Sequence, residues 1–118
     1  MANADLADPV ATYYRALDEH DYEALESVLS PSFVQERPDR TFESAAAFVR
    51  FMREDRPSPE TTHEVDDVFG PTGAGTASAS PLAVRGRVCE ADDVLVRFVD
   101  VFELAADGRV ARLETYTR

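Results

Sequence analysis

Four side chains have the types and positions to do proton chemistry. Asp100 stands in the run Val94–Leu104, where strict alternation sets Val96, Phe98, Asp100 and Phe102 on one face. A carboxylic acid between two phenylalanines is costly to bury in its ionised form. Its pKa rises unless donors compensate. Two readings stay open: a proton-transferring acid, or a fold element that is partly exposed or tied by backbone or arginine donors. Glu36 follows Phe33-Val34-Gln35, so alternation groups it with Val34, opposite Phe33 and Gln35. Spacing alone reads it as a solvated carboxylate at a strand end. Tyr13 lies on the apolar stripe of a helix beside Tyr14, where a tyrosine commonly serves as core with its hydroxyl satisfied. His63 shares its alternation with Val65 and either points inward to a site or is a half-buried structural residue.

Other chemistries find no support. The two histidines, His20 and His63, are far apart and the single cysteine is Cys89, so neither a metal site nor a disulfide framework is expected. The glycines at 70, 73 and 75 precede a strand rather than a helix, which argues against a dinucleotide or phosphate loop. Ser78 and Ser80 lack a nucleophile-elbow motif, and Cys89 has no neighbouring histidine. No cofactor and no metal are expected.

The elements that would carry these residues divide at Pro59. Before it the pattern is helical. Asp8-Pro9 opens a helix with Val10, Tyr13, Tyr14 and Leu17 at helical spacing. Tyr22, Leu25, Val28 and Leu29 line a second, stopped at Ser30-Pro31. Ser44 caps a third, carrying Ala45, Phe48, Val49 and Met52. Phe33–Glu36 reads as a small strand. After Pro59 the pattern is β: Thr61–Phe69, Leu82–Cys89, Val94–Leu104 and Val110–Thr117, with a turn at Glu90–Asp93 and a hairpin signal at Ala106-Asp107-Gly108. Gly70–Ser80 reads as a mobile hairpin loop. Helices followed by an antiparallel meander predict an α+β fold, a curved sheet wrapped around helices with a pocket inside.

With 118 residues, the chain is expected to form one domain, residues 1–118. Hydrophobic residues make up 44% of it, enough for a core, which excludes a disordered acidic tail. There are 23 acidic residues against 12 basic ones, a net charge of −11, and every basic residue is arginine. That surface suits molar salt, where screening removes the repulsion between carboxylates. A genome rich in arginine codons is the other reading. Nucleic acid and anionic lipid are disfavoured as partners, since both need positive stripes. No apolar run approaches a membrane span, and the opening residues lack the pattern of a secretory signal, so a cytoplasmic protein is expected.

Tyr13-Tyr14-Arg15-Ala16-Leu17, followed by Leu29-Ser30-Pro31-Ser32-Phe33-Val34-Gln35-Glu36, resembles the opening of the NTF2-like superfamily. The run from Phe98 through Gly108 to Leu113 resembles the penultimate hairpin of its SnoaL-like and ketosteroid-isomerase-like members. The resemblance spans nearly the whole chain and implies the NTF2-like cone, three N-terminal helices packed in a curved mixed or antiparallel sheet around an internal pocket. It is specific for fold and poor for function, because this scaffold hosts isomerases, cyclases, dehydratases, epoxide hydrolases and non-enzymatic binders.

Within the ketosteroid isomerases, the resemblance matches the oxyanion-hole tyrosine to Tyr13, four residues before Leu17. It matches the proton-shuttling carboxylate to Glu36 and the protonated oxyanion-hole aspartate to Asp100. The implied mechanism is proton abstraction next to a carbonyl, with Glu36 as base and Tyr13 and neutral Asp100 as donors to the dienolate oxygen. Glu36 departs from the isomerases' aspartate by one methylene, and a misplacement of about 1 Å costs on the order of a hundredfold. The polyketide cyclases of the group pair an acid in this strand with a histidine, for which His63 would have to serve from another strand. The epoxide hydrolases need an Asp-Arg-Asp relay, and Arg97 lies opposite Asp100. Phe33, Phe48, Met52, His63, Phe98, Phe102 and Tyr116 are the expected pocket wall. The expected ligand is a small, largely apolar carbonyl compound, and the expected assembly is a homodimer packed through the outer sheet face, where Leu95, Val99 and Val101 lie. The rival is a non-catalytic ligand-binding or dimerisation module of the same fold.

Overall fold

The computed structural model describes residues 8–56, 60–70 and 81–118. Helix α1 (Asp8–Glu19) buries Val10, Tyr13, Tyr14, Ala16 and Leu17, the stripe its periodicity predicts. Helix α2 (Tyr22–Ser27) starts at Asp21, whose carboxylate accepts the Ala24 N–H at 3.2 Å. Helix α3 (Ala45–Glu54) starts at Ser44, whose hydroxyl accepts the Ala47 N–H at 3.0 Å, and it buries Phe48 and Val49. Each cap satisfies a backbone donor that the first helical turn leaves without an intrahelical partner.

Six strands follow or interleave: β1 (Leu29–Glu36), β2 (Thr41–Phe42), β3 (Thr62–Phe69), β4 (Leu82–Glu90), β5 (Asp93–Leu104) and β6 (Val110–Thr117). They form one sheet in the order β2-β1-β6-β5-β4-β3, with β1 and β6 parallel and every other pair antiparallel. The fold is the α+β cone with a curved mixed sheet. Two details differ from expectation. The second helix stops at Ser27, and β1 begins at Leu29, four residues before Phe33. Pro31 is tolerated because the β1–β6 register shifts between Leu29 and Val34, where an absent N–H breaks no regular ladder. Strand β2 is too short to leave a periodic signal. Of the expected Gly70–Ser80 loop, residues 71–80 lie outside the described residues.

The helices pack on the inner face of the sheet. Phe33, Phe48, Phe102, Leu17, Leu25 and Leu113 are fully buried there. The aromatic rings interlock, Phe33 with Phe48 at 5.5 Å and Tyr13 with Phe102 at 5.5 Å between centroids. Phe33, Phe48 and Phe102 are therefore core rather than pocket wall, a correction to the expected lining. Tyr116 is 56% exposed and stands on the outer face. It too leaves the list.

Candidate functional site

Strand β5 keeps the predicted alternation at its centre, so Phe98, Asp100 and Phe102 face inward and are buried. Asp100 stands directly across β6 from Thr115 and accepts its hydroxyl on Oδ1 at 2.6 Å. From α1, the Tyr14 hydroxyl donates to Oδ2 at 2.7 Å. Gln35 on β1 adds a third link, its Nε2 donating to Thr115 Oγ1 at 2.9 Å. One buried carboxyl is thus held by groups from a helix and two further strands. Burial pushes the Asp100 pKa above the ordinary 3.8, against the opposing pull of Thr115, Tyr14, His63 and Arg37.

Asp100 lies at the wall of an inner cavity of about 240 Å³. That is slightly below the roughly 300–1,000 Å³ common for small-molecule pockets. The apolar part of the wall comes from Leu17, Met52, Val88, Val96 and Phe98. Tyr13 packs its ring between Phe48 and Phe102, and its hydroxyl takes no hydrogen bond from a described residue. Burial first, and then the charge of Asp100, push the Tyr13 pKa well above 10, so it stays a donor at neutral pH. Tyr14 is raised likewise by burial and by Asp100.

His63 also reaches the cavity, from β3. Its Nδ1 lies 2.7 Å from Asp18 Oδ1, and its backbone N–H donates to the same carboxylate at 3.0 Å. An ionised carboxylate only accepts, so Nδ1 is the ring nitrogen that donates to Asp18, and Nε2 lies outside that hydrogen bond. Asp18 comes from the end of α1 and fixes the ring. Arg37, after β1, and Arg56, after α3, supply two guanidiniums to the wall.

Of the expected site residues, Tyr13, Asp100, Met52, His63 and Phe98 share this cavity. Glu36 does not. Its neighbour Gln35 takes the inward position, while Glu36 points outward, half exposed, and pairs with Arg112. The period of two along β1 decides this: with Phe33 in the core, Gln35 must be inside and Glu36 outside. Leu95 is a second correction. A register shift lets Val88 face Val96 while Cys89 faces Val94, so Leu95 is the extra residue of a bulge. It lines the cavity rather than lying only on the outer face.

Tyr14, Gln35, Thr115, Asp18 and the two arginines were not singled out from the sequence. Gln35 had a usable signal, since it shares the face of Phe33. The pairing of Asp18 with His63 spans 45 positions and leaves no local trace.

Among the described residues, no three His, Cys, Asp or Glu side chains gather as a metal cluster, and no helix is long and apolar enough to cross a membrane.

No curated protein matches the chain. Solved structures do. A protein from Sinorhizobium meliloti described as a polyketide cyclase is 22% identical with a TM-score of 0.78, covering 98% of this chain and 99% of its own. One from Kribbella flavida described as a ketosteroid isomerase is 19% identical with a TM-score of 0.75, over 93% and 75% of the two chains. An NTF2-like protein of unknown function from Cytophaga hutchinsonii is 14% identical with a TM-score of 0.74, over 94% and 88%. At such identities the likeness speaks for the fold alone. Residues 10–113 match the family model of the SnoaL-like domain, a span that runs from Val10 in α1 to Leu113, halfway along β6. The match over most of its length makes this chain a member of the SnoaL-like domain family, and its helices and mixed sheet share the fold of the NTF2-like protein.

Proposed function

We propose that the protein binds a small, largely apolar carbonyl compound and transfers a proton at the carbon next to its carbonyl. The observation that carries this is the buried Asp100 carboxyl, held by Tyr14 and Thr115 at the wall of a cavity that Tyr13 and His63 also reach. A carboxylate whose pKa is raised by burial is a stronger base than one in water. Asp100 takes the carbon-bound proton, and the electron pair moves toward the carbonyl oxygen. The free Tyr13 hydroxyl donates to that oxygen as charge develops on it. The proton then returns to carbon from Asp100, which restores its carboxylate. Glu36 takes no part. Isomerisation and ring closure both begin with this step, and the solved relatives described as an isomerase and a cyclase support the reading by fold.

Deuterium exchange next to the carbonyl of a β,γ-unsaturated cyclic ketone tests it. Asp100→Asn should slow exchange by about 100-fold or more, within the range of general acid–base catalysis. Tyr13→Phe should slow it at least about tenfold, and Glu36→Gln should leave it unchanged. Exchange indifferent to Asp100→Asn refutes the mechanism. A second reading has its own observation: both Asp100 oxygens already accept a hydroxyl, as a structural carboxylate would. Tight ketone binding without any exchange decides for that non-catalytic module.

The acidic, lysine-free composition supports work in the cytoplasm of a cell with molar internal salt. We also propose a homodimer through the outer face of β5 and β6, supported by the exposed Tyr116 beside the half-exposed Val99 and Val101. Sedimentation equilibrium giving a monomer rejects it.

A further inference from the structure

In a chain with 23 acidic side chains and 12 arginines, a half-buried guanidinium without a carboxylate partner stands out. Most described arginines have one: Arg85 pairs with Asp67, Arg87 with Asp66, and Arg112 with Glu36. Arg56 is half-buried at the cavity and donates to neutral acceptors, the Leu17 carbonyl at 3.0 Å and the Thr61 hydroxyl at 2.8 Å. Among the described residues it forms no ion pair. Two of its five N–H donors are used among the described residues, which leaves the rest of the fork for a planar anion. Arg37 joins it at the wall, and its one carboxylate partner among the described residues, Asp39, is a long 3.6 Å contact at the surface. Both guanidiniums lie close enough to the Tyr13 hydroxyl to pull against the rise in its pKa.

Gln35 supplies the opposite requirement. It is buried and lines the same cavity, and its Oε1 has no hydrogen-bond partner among the described residues. The amide orientation follows from the network. Thr115 gives its single hydroxyl proton to Asp100, so its oxygen accepts from Gln35 Nε2, leaving Oε1 over. A buried acceptor without a partner is rare in a native protein and is expected to meet a donor. The wall therefore asks for an anion at the arginines and a donor at Gln35.

We propose that the ligand of this cavity is a small apolar carboxylate, held by Arg56 and Arg37 beside Tyr13, with a hydroxyl or N–H donated to Gln35 Oε1. This rests on the cavity being the ligand site of the proposed function and names the class of compound that enters it.

Calorimetric titration with 2-, 3- and 4-hydroxybenzoate, the matching hydroxybenzamides and plain benzoate tests it. At least one hydroxybenzoate should bind tenfold or more tightly than its neutral amide, and about fivefold more tightly than benzoate. Arg56→Met should bring the acid-to-amide ratio close to one, and Arg56→Lys should keep part of it. If Arg56→Met does not fold, the ratio in the native protein and in Arg56→Lys still decides. Amides binding as well as the acids, or a ratio unmoved by Arg56→Met, overturn the inference and leave proton transfer on a neutral ketone standing. No binding of any acid at 10 mM, a concentration set roughly a decade above weak millimolar affinity, also overturns it. Loss of ketone exchange in Asp100→Asn is read separately, so the two proposals fail independently.

Discussion

Asp100 and Glu36 are both strand carboxylates, yet the fold gives them opposite surroundings. Glu36 faces water and Arg112, and a surface pair of that kind contributes little to stability. Asp100 is buried, and its pKa lies above the ordinary 3.8 because burial outweighs the hydroxyls that donate to it. The folded protein thus favours the protonated acid more than the unfolded chain does. Its contribution is fully present below the ordinary value and is lost as pH rises through the raised one. Asp100→Asn has no such titration. Between pH 3.5 and 7 the stability difference, read by urea unfolding, should move in favour of the asparagine variant. A difference that stays constant with pH would show that burial does not control this carboxyl. Alternation alone made Asp100 legible from the sequence. The choice between Tyr13 and Tyr14 was not legible, since neighbouring residues on a helix lie only about 100° apart and both are buried here. Arg56 had no signal at all, because what distinguishes it is a half-buried place at the cavity with no carboxylate partner among the described residues.

At the scale of elements, the close fit of β3, β4 and β5 depends on Gly86. A Cβ placed there would lie 2.3 Å from the Glu64 carbonyl oxygen and 2.9 Å from Phe98 Cζ. The backbone contact cannot be relieved by turning a side chain. Gly86→Ala should therefore cost about 2–3 kcal/mol in unfolding free energy, with a loss of ligand affinity because Phe98 lines the cavity. Unchanged stability would mean that β3 moves aside freely. Apart from β2, the order of helices and strands followed from periodicity and turn residues, and so did the cap at Ser44 and the hairpin at Gly108. The bulge at Leu95 did not, because an extra residue resets the period that was used to find it. The same limit moved the start of β1. Leu29 fits the end of a helical stripe and the start of a strand equally well, and pairing with β6 settles it.

For the whole molecule, a net charge of −11 on so small a body implies strong self-repulsion at low salt. The Debye length shrinks from about 10 Å at 0.1 M to about 3 Å at 1 M. The melting temperature should rise by at least about 5 °C between 0.1 M and 2 M KCl, read by calorimetry, since a gain of 1 kcal/mol shifts a domain of this size by about that much. A flat or falling response would favour codon usage over adaptation to salt.

The parallel pairing of β1 with β6 also has a meaning in time. Leu29 is registered with Val110, so the first long strand has to wait for nearly the last to be synthesised. At about 5–20 residues per second, that interval is several seconds on the ribosome. Until then β1 has only the two-residue β2 as a strand neighbour, and Asp100 lacks the Thr115 hydroxyl that holds it. The cavity is completed by the arrival of β6, so the binding site and the finished fold are one event in the birth of the chain.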